Sequence, residues 1–260
     1  MTEVVWTEKS HDVWTVWLDD PSQRNSLTYE ARLALAEQIG AAAREPACRA
    51  IILAGKGGHF CSGGNMKSDV SVDEDPSVRT PRRLRALHRM INAILHADKP
   101  VIAAVEGAVY GAGLSLACAC DFIIAHPNAK FCASFGKVGL LPDGGLLWSL
   151  PRRVGPSRAQ QMMISASTLD AAEAYRIQLV DEIAAQDDVM TAALAAAKRF
   201  RAVAPLASAH VRRELLSAPL SLEAAFEAEL RIQPVLAASQ DYEEGRTAFA
   251  QKRMPRFVGL

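Results

Sequence analysis

The chain has 260 residues, of which 50% are hydrophobic and 22% charged, and 29 basic residues balance 29 acidic ones. This is the composition of a globular protein with a core of its own, which excludes global disorder, and zero formal charge argues against a general nucleic-acid binder. The N-terminus lacks a basic start followed by an apolar stretch, and no run of about 18 apolar residues occurs, so neither a signal peptide nor a membrane span is expected. The five cysteines (Cys48, Cys61, Cys118, Cys120, Cys132) are odd in number and form no C-x-x-C pair. They read as buried small hydrophobes in a reducing cytoplasm, without a disulfide framework or a metal site.

In chain order, residues 3–8 and 12–18 read as strands, the second carrying Val13, Trp14, Val16 and Trp17 before the turn at Asp19-Asp20-Pro21. Thr28 reads as the N-cap of an amphipathic helix over 29–44, with Leu33, Leu35 and Ile39 as its apolar stripe, ended by Pro46. Residues 49–54 are continuously apolar, as a doubly covered parallel strand would be. A glycine-rich loop follows through Gly63-Gly64. Residues 68–80 read as a polar surface loop, and Pro81 as the start of a helix to about 96 bearing Arg82, Arg83, Arg85 and Arg89, an exposed face or a phosphate contact. A second buried strand (101–105), the glycines 107, 111 and 113, an apolar helix and a third strand (122–126) complete an α/β pattern. Beyond about 150, segments 157–165, 170–177, 188–202, 206–217, 222–239 and 241–251 favour helix, with one short strand near 180–184. The chain divides into an α/β core over 1–200 and a helical region over 201–260.

Both glycine-rich turns follow a buried strand, and side by side they would offer two backbone N–H donors to one oxygen, the geometry of an oxyanion hole. A dinucleotide fingerprint lacks its third glycine after Gly111-Ala112-Gly113, and no G-K-[ST] phosphate loop is present. Residues 113–117 nearly match a G-x-S-x-G elbow around Ser115, but no accompanying histidine and acid are marked. Tight turns packed with small residues are the plain alternative.

Five ordered segments resemble the crotonase, or enoyl-CoA hydratase/isomerase, superfamily. They are QRNSL (23–27), HFCSGGNMK (59–67), KPVIAAVEGAVYGAGLSLACACDFIIA (99–125), FGKVGLLPDGG (135–145) with LPRRVG (150–155), and FAQKRMPRF (249–257). The resemblance implies a spiral of ββα units with a C-terminal helical trimerisation region, an acyl-CoA substrate, and a homo-trimer or dimer of trimers. It implies no separate cofactor, coenzyme A being part of the substrate, and no nucleic-acid, membrane or metal partner.

By motif, the amides of Gly64 and Ala112 are the implied oxyanion donors. Asn25, Ser62, Asn65, Met66, Lys67, Gly111 and Phe135 fall in the implied substrate and CoA site. Phe249 and Lys252 close over CoA from a neighbouring subunit, and Lys67, Lys252 and Arg253 are candidate phosphate contacts. His59 reads as a brace for the loop. Asn65 stands where the family more often has Asp. Hydratases of the family use two glutamates, and those positions are here Ser115 and Phe135. The carboxylate left in that region is Asp143, in a Pro-Asp-Gly turn among Phe135, Leu140, Leu141 and Leu146, whose burial would raise its pKa. A lone acid suits an isomerase, in which one base moves a proton between carbons. The alternatives are a hydratase with unusual acid/base residues, a thioester or C–C hydrolase on the same fold, and a non-catalytic acyl-CoA-binding subunit.

Overall fold

The computed structural model describes residues 4–66, 75–185, 188–216 and 221–260. A hairpin of β1 (Val5–Ser10) and β2 (Val13–Leu18) opens a six-stranded sheet. It continues in parallel through β3 (Ala50–Gly55), β4 (Val101–Val105), β6 (Phe122–Ala125) and β9 (Glu182–Ile183), in the order β1-β2-β3-β4-β6-β9. The apolar runs are explained by two cores. Ile51, Leu53, Val101 and Ala103 face one, while Ala50, Ile52, Ile102 and Ala104 face the other. A strand of period two covered on both faces must be apolar at every position.

The first core is roofed by α1 (Tyr29–Arg44) and α2 (Pro76–Leu95). The Thr28 hydroxyl accepts the Ala31 N–H at 3.1 Å and so caps α1, which buries Leu35 and Ile39. Helix α2 begins five residues before the expected start. Asp75 caps it by accepting the Ser77 N–H at 2.8 Å, and Pro76 takes the first helical position. Pro81 is therefore inside the helix, forgoing one intrahelical bond. The rest of the expected loop, residues 68–74, lies outside the described residues.

A second, three-stranded sheet had no counterpart in the expected elements. It joins β5 (Ala108–Tyr110), β7 (Lys130–Cys132) and β8 (Leu169–Asp170). Strand β5 leads at once into α3 (Ala112–Ala119), buried along its whole length. Also unforeseen is α4 (Leu146–Val154), which carries Pro151 in its interior.

The remaining helices follow the expected positions: α5 (Pro156–Ser165), α6 (Ala171–Arg176), α7 (Val189–Arg199), α8 (Pro205–Leu216), α9 (Leu222–Ala237) and α10 (Gln240–Gln251). Helix α7 covers the second core. All five cysteines are free and buried, and burial pushes the Cys118 thiol up to about 12. On α9, Phe226, Leu230 and Val235 stand exposed in the single chain. Among the described residues no helix is long and apolar enough to cross a membrane.

Helix α8 is bolted to the core by Arg212. Its guanidinium bonds Asp121 at 2.8 Å and donates to the carbonyls of Ala97, Lys99 and Ile94 at the end of α2 and the entry to β4. Its neighbour Arg213 pairs with Asp98 on the surface. Arg212→Ala is expected to destabilise the fold by about 3 kcal/mol, because it removes the cation paired with the half-buried Asp121 and leaves the Ala97 and Lys99 carbonyls without this donor. Arg213→Ala should cost under about 1 kcal/mol. Urea unfolding of the two variants checks the contrast.

Candidate active site

The loop after β3 is held from behind by Asn25. This residue is 2% exposed and adopts a left-handed φ of 55°. Its side-chain carbonyl accepts the Asp20 N–H at 2.8 Å, and its amide donates to the carbonyls of Lys56 (2.9 Å) and His59 (2.6 Å). With those atoms engaged by backbone, Asn25 braces the loop. Ser62 is similarly engaged, its hydroxyl donating to the Gln23 carbonyl at 3.2 Å and its N–H to the Arg24 carbonyl at 3.0 Å. Asn65 is buried and donates to the Ser26 hydroxyl at 3.0 Å, so the departure from Asp keeps a bracing contact. His59 braces as well, its Nδ1 accepting the Ala108 N–H at 3.1 Å. Met66 is exposed, and Lys67 lies outside the described residues.

Backbone pairing then zips the first turn onto β5. Cys61 N–H donates to the Ala108 carbonyl at 2.9 Å, and Tyr110 N–H donates to the Cys61 carbonyl at 3.0 Å. The approach is too close for side chains. A Cβ on Gly113 would lie 2.3 Å from the Cys61 carbonyl oxygen. One on Gly63, whose φ is 102°, would lie 2.9 Å from the Tyr110 oxygen and 3.6 Å from the Ala112 nitrogen. The two turns are thus in contact.

Most amides around this contact are already used. Gly63 N–H points to the Cys61 sulfur at 3.4 Å, Asn65 N–H to the Leu27 carbonyl at 3.1 Å, and Gly111 N–H to the Cys132 carbonyl at 2.9 Å. Among the described residues, the amides of Gly64 and Ala112 have no acceptor in the protein. Ala112 is the first residue of α3, where the helix leaves its N–H unsatisfied and its dipole favours negative charge. Phe135 is buried in the short 3-10 turn Ser134–Val138, its ring edge 4.0 Å from where a Gly111 Cβ would stand.

Asp143 is joined to the same helix. Ser115, fully buried one turn into α3, donates its hydroxyl to the Asp143 carbonyl at 2.8 Å. The Leu146 N–H closes the turn onto that carbonyl at 3.2 Å. The turn therefore runs from Asp143 to Leu146 with Gly144 and Gly145 at positive φ, one residue beyond the expected Pro-Asp-Gly turn, and its hydrogen bond does not engage the carboxyl. Asp143 Oδ1 is buried without a hydrogen-bond partner. Burial pushes the carboxyl up, and the nearby charges of Arg32, His88 and Arg83 oppose the shift. Leu140 and Leu141, expected to wall the carboxyl off from water, are instead exposed, whereas Leu146 and Phe135 are buried.

Other expected contacts separate from this cluster. Phe249 is 88% exposed and borders a hollow of about 440 Å³ between α8, α9 and α10, to which neither glycine turn contributes. Lys252 is exposed at the end of α10. Arg253 is taken by Glu244 through two bonds of 2.6 and 2.8 Å, which lower the Glu244 carboxyl to about 2, so it is not a spare cation for phosphate. The sequence reading missed Arg32. Its signal was the spacing, since Arg32, Leu35 and Ile39 share one buried stripe of α1.

Ser115 has its hydroxyl committed to carbonyls, so Ser115→Ala should lower stability by about 1–2 kcal/mol and leave the reaction product unchanged. Thermal unfolding and product analysis by mass spectrometry check this. Loss of turnover at unchanged stability would place the hydroxyl in the chemistry instead.

The chain is similar to known proteins along nearly its whole length. The family model described as enoyl-CoA hydratase/isomerase matches residues 8–259. A probable enoyl-CoA hydratase of Rhodobacter capsulatus is 36% identical over 97% of this chain and 96% of its own. The 1,2-epoxyphenylacetyl-CoA isomerase of Escherichia coli is 31% identical over 100% of both chains. The crystal structure of an enoyl-CoA hydratase from a Polaromonas species superposes with a TM-score of 0.91 at 34% identity, covering 97% of this chain and 99% of that one. The chain belongs to the enoyl-CoA hydratase/isomerase family of the crotonase superfamily.

Proposed function

We propose that the protein isomerises an unsaturated acyl-CoA thioester, with Asp143 as the single acid/base and the amides of Gly64 and Ala112 as oxyanion donors. The observation that carries this reading is the half-buried Asp143 carboxyl, with one oxygen unpartnered, tethered through Ser115 to the helix that begins at Ala112. In the reaction the carboxylate removes a proton from a carbon next to the double bond. The C–H pair shifts into the chain, and charge collects on the thioester oxygen facing the two amides. The carboxylic acid then returns the proton to another carbon of the same system, so the double bond has moved with no net change in composition. The whole-length relationship to an enzyme named 1,2-epoxyphenylacetyl-CoA isomerase supports this reading.

Hydration is the second reading, favoured by the name of the Rhodobacter capsulatus relative. It asks one carboxyl to activate water and also to protonate the α-carbon, because Ser115 and Phe135 offer no second titrating group near neutrality. We extend the proposal to a homo-trimer or dimer of trimers, in which the exposed Phe249 and Lys252 of one chain cover the CoA of the next.

Incubation with β,γ- and α,β-enoyl-CoA in D₂O separates the two. Isomerisation exchanges deuterium and moves the double bond, whereas hydration adds the mass of water. Asp143→Asn should lower kcat by about 10³-fold with little change in CoA binding. Since the base acts ionised and burial raises its pKa, activity should fall as pH drops through a value above the ordinary aspartate range. Ala112→Pro deletes one donor at a helix position that tolerates proline, and should reduce kcat by about 10²–10³-fold.

A further inference from the structure

Arg32 is 4% exposed, which is unusual for an arginine. Its Nη2 donates to the Leu27 carbonyl at 3.1 Å and its Nη1 to the Arg83 carbonyl at 3.4 Å, linking α1 to α2. The Leu27 carbonyl also accepts the Asn65 N–H, so the same anchor fixes the loop on the far side of Gly64. A Cβ on Gly64 would come within 3.3 Å of Arg32 Nη2 and 3.9 Å of Arg83 Nη2. Two guanidinium groups thus press on the residue whose amide is free. Along α2, one turn past Arg83, Leu87 packs against the turn of Asp143. A Cβ on Gly144 would lie 3.5 Å from Leu87 Cδ2 and 2.8 Å from Ser115 Cβ. The charged or titratable groups that face Asp143 are Arg32 from α1 and Arg83 and His88 from α2. Among the described residues, α3 presents the uncharged Ser115 and α4 presents no titratable group.

We propose that Arg32, braced on Arg83, is a positioning residue whose fixed positive charge serves the Gly64 turn and the Asp143 carboxylate together. This rests on the reading of Asp143 as the base. A half-buried carboxylate with an unpartnered oxygen tends to take up a proton, which depletes the ionised form that acts as the base. Of the charges that oppose this tendency, Arg32 has the largest effect. A guanidinium held by two carbonyls does so at fixed geometry and stays charged at every working pH.

The test is the pH dependence of kcat and kcat/KM for the wild type, Arg32→Met, Arg32→Lys, Arg83→Met and Asp143→Asn, with folding checked by circular dichroism. Arg32→Met should move the acidic limb to higher pH by about one unit, so that kcat below the limb drops about tenfold while KM changes far less. Arg32→Lys, which keeps the charge, should return the limb most of the way. Arg83→Met should move it in the same direction by less, and it carries the test if Arg32→Met does not fold. A limb that stays in place or moves to lower pH in a folded Arg32→Met, or in Arg83→Met if that variant alone folds, overturns the inference. If Asp143→Asn is inactive while that limb is unmoved, the inference fails alone. If Asp143→Asn keeps wild-type turnover, the base assignment fails and the inference goes with it.

Discussion

The short parallel pairing between Cys61 and strand β5 is the constraint on which the site depends. It lays the turn after β3 against the turn after β5, and it does so with main-chain bonds that use the amides on either side. Among the described residues, this leaves the N–H of Gly64 on one turn and that of Ala112 on the other without an acceptor. Neither is exposed by accident. Gly64 lies between amides bonded to a sulfur and to the Leu27 carbonyl, and Ala112 opens a helix whose first donors have no partner within the helix. The glycines follow from this closeness, because at 63 and 113 a side chain would collide with the opposing carbonyl.

How much of this is legible in the sequence depends on the length of each signal. Helix α1 announces itself through Thr28 and a three-turn stripe, and β3 and β4 through unbroken apolar runs. Strands β5, β7 and β8 span three, three and two residues, too few for any period to show. Proline misleads twice. Pro81 looks like a helix start, although the Asp75-Pro76 pair is the stronger one, and Pro151 hides α4. At the site, the two turns stand out by composition and Asp143 by elimination. The burial of Arg32 depends on how α1 and α2 meet, and contacts across 51 residues of chain leave no local pattern.

A charge on an apolar stripe is costly, and the arginines show what offsets that cost. Arg32 displaces a residue that would otherwise complete the buried face of α1, and burying a cation is tolerated where polar partners offset its desolvation. Here its partners include the Leu27 and Arg83 carbonyls, and the charge lies beside the Gly64 turn and within electrostatic reach of Asp143. Arg212 follows the same logic at the other end of the molecule, where one guanidinium ties a helix to the sheet through Asp121 and three carbonyls.

The tether from Ser115 to the Asp143 carbonyl also bears on how such scaffolds diverge. The space between residues 115 and 144 is filled to contact, so a longer acidic side chain at 115 would sever the tether and push the following turn outward. Residue 115 and the turn from Asp143 to Leu146 are therefore packed as one unit. A descendant of this chain with a larger residue at 115 would have to rebuild that turn in concert, while the main-chain pairing between the two glycine turns passed through the change untouched.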